Sequence, residues 1–513
     1  MRLRPRSRSP LGETGRPSSA GRSIDTETGI LSRSLRGALA PALGVVVAGA
    51  CGAEPTVGGL PVAPRCAIER PAPGRLSIAG GAIVDELGRR VALRGVNTGG
   101  RAKRAPYAPF DFADGGYDAA LATYLDRAAS WGIDALRVVF SWQAAEPTAG
   151  SPDEAYLARF DALLDGAWAR GMWTIIDFHQ DLYAEPYCGD GFPAWTLTPP
   201  PEPRQDCERW FNLYNDSTVK AAFDAFWAEG SPARAAYDAL WQRLADRHRD
   251  RPGVIGYEPI NEPHWGTASQ TTWEATTLTT FFTDMAALLG ERDPDGLVFV
   301  DLPGIDGVSG ETTLERPVGD RIVLAPHSYD PNALFGGSLR DNVKRRLQPW
   351  ADLGAAWGVP VLIGEMGVVA EHPQAAVHLR RHLAAMDALG LHGTWWEYSV
   401  SPELWNGENL SVVDASGADT PMVDELARPY PRALAGEVVT SEYDPDLRLY
   451  ALEYHPSGDA PTEIPVPARW GEVRIGADGG CVDLRDGHLL VKAAAGADVV
   501  RVAVERAPES VAH

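Results

Sequence analysis

The stretch Gly-Val-Ile-Gly-Tyr-Glu-Pro-Ile-Asn-Glu-Pro, residues 253–263, places a carboxylate directly after an apolar run. A second stretch, Val-Pro-Val-Leu-Ile-Gly-Glu-Met-Gly, residues 359–367, repeats this arrangement. Each is typical of a short buried strand that is followed at once by a glutamate, Glu262 in the first and Glu365 in the second. At the carboxyl ends of the strands of an α/β barrel, such residues face the active-site mouth. One glutamate alone could equally cap a helix or pair with an arginine, but the pair predicts a catalytic site.

Two carboxylates across the mouth of a barrel are the groups that glycoside hydrolysis requires. One protonates the leaving oxygen, and the other attacks the sugar from the opposite face. We therefore expect the two carboxyl groups to lie about 5–5.5 Å apart, the separation found in retaining glycosidases.

Strands alternate with helices over residues 74–435. We expect the first barrel strand to end at Asn97, a single long helix over 219–249, and no clear helix after the fifth strand. The other seven strands are expected at 134–140, 172–178, 253–260, 297–301, 321–325, 360–364 and 392–398. This alternation predicts a (β/α)8 TIM barrel. A doubly wound open sheet is the competing fold, but no glycine-rich phosphate loop follows the first strand.

Residues 436–513 have a different sequence pattern. Short β-branched segments are separated there by Gly, Asp and Pro, and valines alternate cleanly at 500, 502 and 504. This pattern predicts a small C-terminal β-sandwich domain.

The first 51 residues predict export. Arg33 and Arg36 precede an apolar run that is too short to span a bilayer but suits a signal segment. The run leads into Ala-Gly-Ala-Cys, residues 48–51, which resembles a bacterial lipoprotein cleavage site with Cys51 as the acylated residue. The chain is thus expected to be a secreted or membrane-anchored lipoprotein of a bacterium. Residues 52–73 are rich in Pro, Gly and Ala, which predicts a linker.

Four cysteines remain once Cys51 is set aside. Cys188 and Cys207 bracket a proline-rich loop and are the natural disulfide pair in an oxidising compartment, which leaves Cys66 for Cys481. No CxxC or histidine-rich spacing suggests a metal, and no cofactor is expected.

The net charge of −22 argues against binding nucleic acid through its phosphates. A polar ring appears instead where the expected strand ends are placed side by side. Arg137 lies within an otherwise apolar strand, and a buried arginine there needs a carboxylate partner, for which Glu365 is the obvious candidate. Such a pairing would keep Glu365 ionised.

This set of residues resembles glycoside hydrolase family five, whose catalytic glutamates follow strands four and seven. Within that family, His179-Gln180-Asp181, the lysine-containing loop after Asn97 and the appended β-sandwich resemble the endoglycoceramidase branch. The resemblance covers roughly residues 75–510. It implies that Glu262 is the general acid/base and Glu365 the nucleophile.

The resemblance also implies a set of substrate-binding residues: Lys103, Arg137, His179, Asp181, Asn261, His327, Tyr329 and Trp396. Lys103 is the best match for a sugar-contacting lysine, with Arg101 and Arg104 close by in the sequence. His264 favours loop packing over chemistry, and Glu258 favours support from inside the barrel. Glu397 fits either an acid near the site or a structural partner.

The sequence thus predicts a retaining β-glycosidase, acting as a monomer, that cleaves the bond between a sugar head group and a lipid aglycone. An apolar groove and a lipid anchor would bring it to a membrane surface. The candidates to line that groove are Phe192, Trp195, Leu197, Trp265, Trp273, Leu404 and Trp405. The alternatives are an endo-β-glucanase, a β-glucosidase for another aglycone, or a catalytically silent carbohydrate-binding lipoprotein.

Overall fold

The computed structural model describes residues 56–113, 115–204, 206–207, 210–334, 336–400 and 409–507. The predicted export segment and Cys51 lie outside these residues. In the part of the chain that the structure describes, no helix is both long enough and apolar enough to cross a membrane.

Eight parallel strands form the predicted barrel. Strands one to six pair in chain order, and strand eight pairs with both strand one and strand seven. A parallel bridge between Leu324 and Val361 joins strands six and seven and closes the ring. In chain order the strands are Arg94–Asn97, Ala135–Phe140, Trp173–Phe178, Val254–Glu258, Leu297–Val300, Ile322–Leu324, Leu362–Ile363 and His392–Trp395. The predicted fold class is confirmed.

Every residue of these eight strands is buried. Parallel strands that are covered on both faces are expected to be continuously apolar, and this explains why their sequences lack polar alternation. A polar residue within such a strand, such as Arg137, is therefore an exception that needs a partner.

Helices connect the strands. The longer ones are Tyr117–Ser130, Glu154–Trp168, Ser217–Trp227, Pro232–His248, Thr279–Arg292, Val343–Trp357 and Ala375–Leu389. Shorter helical turns are Gly100–Lys103, Trp142–Ala145, Glu185–Tyr187, Ala194–Thr196, Trp210–Asn215, Gln270–Trp273, Glu274–Leu278, Gly304–Ser309, Pro331–Leu334, Pro421–Leu426 and Ala468–Trp470.

Two connections bear on the sequence predictions. The single helix expected over 219–249 is two helices, because Ser231 caps a new helix by accepting from the Arg234 N–H and Pro232 occupies its first position. After strand five the chain forms only the six-residue helix Gly304–Ser309. This is the weak unit that the sequence indicated.

The C-terminal region forms two antiparallel sheets. The first orders its strands as Gly436–Asp444, Leu449–Pro456, Val500–Arg506 and Val473–Asp478. The second contains Gly480–Arg485, His488–Ala493, Thr462–Pro465 and Ala433–Leu434, and it continues into Arg90–Val91, Ala82–Val84 and Ser77–Ala79. The strands that precede the barrel thus complete a sheet of the C-terminal region.

Part of the expected linker, residues 52–73, forms ordered structure where the structure describes it. Strands Thr56–Val57 and Leu60–Pro61 pair with each other, and Val57 and Ala63 are buried. Cys66 forms a disulfide with Cys481. The few apolar residues of this segment lie against the C-terminal sheets, which a composition rich in Pro and Gly does not reveal.

Candidate active site

The carboxyl ends of the barrel strands enclose a cavity of about 620 Å³ that Glu262 and Glu365 both line. One carboxylate oxygen of Glu262, one of Glu365 and a ring nitrogen of His327 all lie within 4.8 Å of one another. This closeness is compatible with the roughly 5–5.5 Å between carboxyl groups in retaining glycosidases.

Arg137, in strand two, is fully buried beside this pair. Its guanidinium donates to both carboxylate oxygens of Glu258, at 2.7 and 2.6 Å, and to Glu365 Oε1 at 2.8 Å. Asp177 lies 3.1 Å away. Glu365, the expected partner, is therefore one of three carboxylates around this arginine, and Glu258 makes the bidentate contact.

Arg137 also orients the amide of Asn261, which lines the cavity. Asn261 Oδ1 accepts from Arg137 Nη2 at 2.8 Å, and Asn261 Nδ2 donates to the carbonyl of Gln180 at 3.1 Å. With both ends of the amide engaged, the side chain has a single orientation.

Positive charge gathers around Glu365. Burial alone would raise the pKa of Glu365, but the charges of His327, Arg137 and then His179 and Lys103 outweigh it and lower the pKa. The Tyr329 hydroxyl donates to Glu365 Oε2 at 3.0 Å. Such an environment keeps the carboxylate ionised, as a nucleophile requires.

Glu262 is held in a different way. Its side chain remains 20% exposed, and its Oε1 lies 2.8 Å from His327 Nδ1. Burial alone would lower the pKa of His327, but Asp301, Glu365 and Glu262 raise it to about 10. The backbone of Glu262 adopts a left-handed φ of 38°. Its N–H donates to Asp301 Oδ2 at 2.7 Å.

A second polar group lies beside the indole of Trp396. Lys103 Nζ is 2.8 Å from Asp181 Oδ2 and 4.7 Å from the centre of the indole, on which the His179 ring stacks at 5.1 Å. Burial alone would raise the pKa of Asp181, but Lys103 and His179 lower it. An aromatic face beside a few fixed polar groups is the arrangement that positions a polar ligand.

Tyr214 joins this group to the other wall of the cavity, and no sequence pattern pointed to it. Its hydroxyl donates to Asp181 Oδ1 at 2.9 Å, while its ring stacks on His264, which in turn stacks on Trp265. Burial lowers the pKa of His264 to about 4, and its Nδ1 accepts from the Gly266 N–H. His264 therefore lines the cavity as a neutral packing residue.

Part of the cavity lining is apolar, and we call it the apolar wall. It comprises Trp210, Phe211, Trp265, Ile305 and Val308. Phe211 and Ile305 expose 46% and 51% of their surface. Large apolar side chains exposed at the rim of a cavity indicate contact with an apolar ligand or surface.

Comparison with known proteins agrees with this geometry. Residues 84–401 match the cellulase family, glycosyl hydrolase family 5, and residues 428–507 match the C-terminal domain of that family. The chain belongs to glycoside hydrolase family 5.

Its relatives within family 5 include endoglycoceramidases. Endoglycoceramidase I of Rhodococcus hoagii is 27% identical over 410 residues, which are 74% of this chain and 77% of that protein. Endo-glycoceramidase II from a Rhodococcus species, solved as a ganglioside GM3 complex, is 27% identical with a TM-score of 0.71, covering 84% of this chain and all of that one. The same protein, solved as a lactosyl-enzyme intermediate, is 28% identical with a TM-score of 0.69, covering 83% and 99%. The predicted resemblance is confirmed, and the chain is a retaining glycoside hydrolase.

For this family 5 chain, the structure distinguishes between the neighbouring cations that the sequence left open. Lys103 lines the cavity. Arg101 pairs with Asp111, and Arg104 lies 2.9 Å from Glu185.

Glu397 proves to be a structural partner. It accepts from the Gly100 N–H and, at 2.7 Å, from the Ser399 hydroxyl. It thereby supports the turn Gly100–Lys103 that carries the cavity lysine.

The predicted lining of the lipid groove was largely wrong. Phe192, Leu197 and Trp273 are buried in the barrel's outer core. Trp195 packs on Trp142 and donates its indole N–H to the Glu146 carbonyl. These aromatics hold the loops together because indole and phenyl rings gain most by full burial. Trp265 does line the cavity, while Leu404 and Trp405 lie outside the described residues.

Asp301 was also missed, although its position directly after strand five gave a usable signal. The segment Trp210–Asn215 gave no such signal, because it follows a long loop and not a predicted strand.

Both predicted disulfides are present. Cys188 is joined to Cys207, and Cys66 is joined to Cys481.

Three groups of side chains in the described part of the chain have the spacing of metal ligands. They are His179, Asp181 and Asp190; Glu258, Asp301 and His327; and Glu262, His327 and Glu365. In each group one acid already pairs with a cation: Asp181 with Lys103, and Glu258 and Glu365 with Arg137, at 2.6–2.8 Å. We therefore assign them no metal.

Proposed function

We propose that this enzyme hydrolyses the β-glycosidic bond between a sugar head group and a lipid aglycone, in the manner of an endoglycoceramidase. One observation carries the proposal. A single cavity combines a charged floor, where Glu262 and Glu365 meet, with the apolar wall.

The reaction proceeds by double displacement. Glu365 attacks C1 of the sugar as the bond from C1 to the lipid oxygen breaks, and Glu262 gives its proton to that oxygen. Water then attacks C1 of the glycosyl-enzyme, its proton passes to Glu262, and the bond to Glu365 breaks. The two inversions at C1 give net retention.

The surrounding residues have distinct roles in this scheme. Arg137 and Tyr329 hold Glu365 ionised and oriented, and His327 holds the carboxylate of Glu262. Asn261, fixed by Arg137, hydrogen-bonds the 2-hydroxyl of the sugar, where contacts strengthen in the transition state.

The sugar that is cleaved lies on Trp396. Lys103, His179 and Asp181, which are grouped at this indole, bind its hydroxyls. Tyr214 fixes the second oxygen of Asp181 and so completes this subsite.

The lipid leaves on the side of the acid. Glu262 must face the leaving oxygen, so the aglycone extends from Glu262 toward the helix Gly304–Ser309 and Trp265, which carry part of the apolar wall. Relatives named endoglycoceramidases, one of them solved as a ganglioside GM3 complex, support a lipid aglycone.

The experiment compares two substrates that share one glycan with a third that is a glucan. Purified enzyme is given lactosylceramide, 4-nitrophenyl β-lactoside and cellotetraose, and the products are identified by mass and by the anomeric NMR signal. We expect intact lactose in the β form from the first two, and a kcat/KM for the lipid more than about tenfold above that for the nitrophenyl glycoside, equivalent to about 1.4 kcal/mol.

Other outcomes point to the alternatives. Faster cleavage of cellotetraose would favour an endo-β-glucanase, and equal rates on both lactosides would favour a general β-glycosidase. Binding without turnover would leave a silent carbohydrate-binding protein. An initial α-product would contradict double displacement itself.

We further propose that the enzyme works outside the cytoplasm of a bacterium, as a monomer, anchored through a lipid on Cys51 after residues 1–51 direct its export. Two disulfides in the described part of the chain support an oxidising location. We also propose a catalytic barrel over 74–435 and a C-terminal β-sandwich domain over 436–513, joined by the sheet to which the strands from Ser77 to Val91 contribute. Labelled palmitate that follows the wild-type protein but not Cys51→Ala would support the anchor. Label absent from both would contradict it.

A further inference from the structure

Asp301 lies directly after barrel strand five, is fully buried, and has no part in the reaction scheme above. Its Oδ2 accepts the backbone N–H of Glu262 at 2.7 Å and lies 3.4 Å from Nε2 of His327. The other ring nitrogen of His327 is the one that contacts the Glu262 carboxylate. Asp301 therefore reaches the acid/base residue Glu262 in two ways, directly through the backbone N–H of Glu262 and indirectly through His327.

The backbone of Glu262 needs such support. A left-handed φ of 38° in a non-glycine residue is strained by about 1–3 kcal/mol and persists only where neighbours impose it. Asp301 binds the N–H on one side of the residue, and Gln180 Nε2 donates to the carbonyl on the other side at 3.0 Å. These two hydrogen bonds fix both peptide groups that flank the acid/base.

Gly304, three residues after Asp301, lies against the side chain of Glu262. A Cβ at this position would lie 2.5 Å from Glu262 Oε2 and 2.7 Å from its carboxyl carbon. A side chain here would displace the Glu262 carboxylate from this position. The turn from Asp301 to Gly304 fixes the backbone of Glu262 at one end and leaves room for its carboxylate at the other.

We propose that Asp301 is a positioning residue for the acid/base step of this enzyme. It does not touch the substrate; it sets the direction of the Glu262 carboxylate and of the His327 ring. The inference rests on the proposed role of Glu262. Its physical basis is that proton transfer depends on placement within a fraction of an ångström, and a misplacement of about 1 Å can cost about 100-fold in rate.

The test uses two leaving groups. Dinitrophenolate departs without protonation, whereas an alkoxide needs the acid. We expect Asp301→Ala to lower kcat/KM for octyl β-lactoside about 100-fold, within the range of general acid catalysis, and for 2,4-dinitrophenyl β-lactoside less than about threefold. Azide, which attacks the glycosyl-enzyme without a base, should restore kcat on the dinitrophenyl substrate. Equal losses on both substrates would overturn the proposal.

Three further variants separate the possible failures. Asp293→Ala removes a buried aspartate that precedes strand five and accepts from the Tyr257 hydroxyl, and it should change both substrates equally. Glu262→Ala should show the full leaving-group effect, and if it does not, the proposed acid/base role is at fault. A second outcome is that Glu262→Ala shows the leaving-group effect while Asp301→Ala, folded and with a full dinitrophenolate burst, does not show it. In that case only the inference about Asp301 fails.

Asp301→Asn covers the case in which the alanine variant does not fold. The two oxygens of Asp301 accept from the N–H groups of Glu262 and Leu302, both at 2.7 Å, and an amide offers one oxygen to these two donors. We expect the same preferential loss on the octyl glycoside, at about tenfold. A folded Asn variant with wild-type rates on both substrates would overturn the proposal.

Discussion

The floor and the apolar wall of one cavity are built in opposite ways. On the floor, each ionisable side chain is fixed by partners; Arg137 alone contacts Glu258, Glu365 and Asp177. On the wall, Phe211 and Ile305 are about half exposed and come from short turns between the strands and helices. Chemistry thus depends on residues whose geometry is fixed by many contacts, whereas recognition of an aglycone depends on apolar area that loops can supply.

The largest expected effect tests whether the floor is catalytic. Glu365→Ala should lower kcat by at least about 10⁴-fold, because the nucleophile is lost. Azide should then restore turnover of a dinitrophenyl lactoside and give the α-azide, identified by NMR. The matched control is Glu146→Ala, a buried glutamate that pairs with Arg243 away from the cavity and should leave kcat within a few-fold. Turnover in Glu365→Ala without azide would contradict the assignment.

A second substitution tests the partners of the floor. Arg137→Lys keeps a charge but cannot reproduce the contacts with Glu258 and Glu365, and we expect kcat/KM to fall about 100-fold. Because the positive charge near Glu365 lowers its pKa, weakening that contact raises the pKa. The acid limb of the pH–rate profile should therefore move to higher pH.

Arg94→Lys is the matched control for this prediction. Arg94 is a buried arginine that begins strand one and pairs with Asp387 at 2.9 Å. Its replacement should lower stability, measured by thermal unfolding, without moving the acid limb. An unchanged limb in Arg137→Lys would show that other cations suffice for Glu365.

The apolar wall should respond differently. The double variant Phe211→Ser/Ile305→Ser should lower kcat/KM for lactosylceramide about tenfold, about 1.4 kcal/mol of lost apolar contact, and leave 4-nitrophenyl β-lactoside unchanged. Val318→Ser, an exposed valine outside the cavity lining, is the control and should change neither substrate. Equal losses on both substrates would show that the apolar wall contributes to catalysis and not to recognition of the lipid.

The smallest effect concerns Tyr214, which links the two regions. Tyr214→Phe removes its hydrogen bond to Asp181 but keeps the stacked ring, so we expect kcat/KM to fall about fivefold, or about 1 kcal/mol, on lipid and nitrophenyl lactosides alike. Tyr117→Phe removes a comparable hydrogen bond, to the Arg159 carbonyl, and should have no effect on rate. A loss confined to the lipid would assign Tyr214 to the wall instead.

The same contrast explains what the sequence could predict. Glu262, Glu365 and His327 follow short apolar strands, and strand ends in a barrel converge on one face whatever the loops do. The residues resembling an endoglycoceramidase could therefore be placed from local patterns. Asp301 obeyed the same rule and could have been found by extending it to strand five.

The apolar wall could not be placed in this way. Phe192 and Phe211 are the same residue type, as are Trp273 and Trp265. Residue type does not distinguish a ring that packs a loop from one that faces a cavity. The distinction arises from the path of the chain after Cys207, which depends on contacts between segments far apart in sequence. The strands that complete the C-terminal sheet from Ser77 onward are hidden from local patterns for the same reason.

The disulfide between Cys66 and Cys481 spans 415 residues and encloses the entire barrel. Covalently, residues 66–481 form one large ring. A protease that cuts one exposed loop opens this ring but releases no fragment, so the nicked protein keeps every strand and every residue of the cavity floor. Such a molecule would migrate as a single species until a reductant divides it.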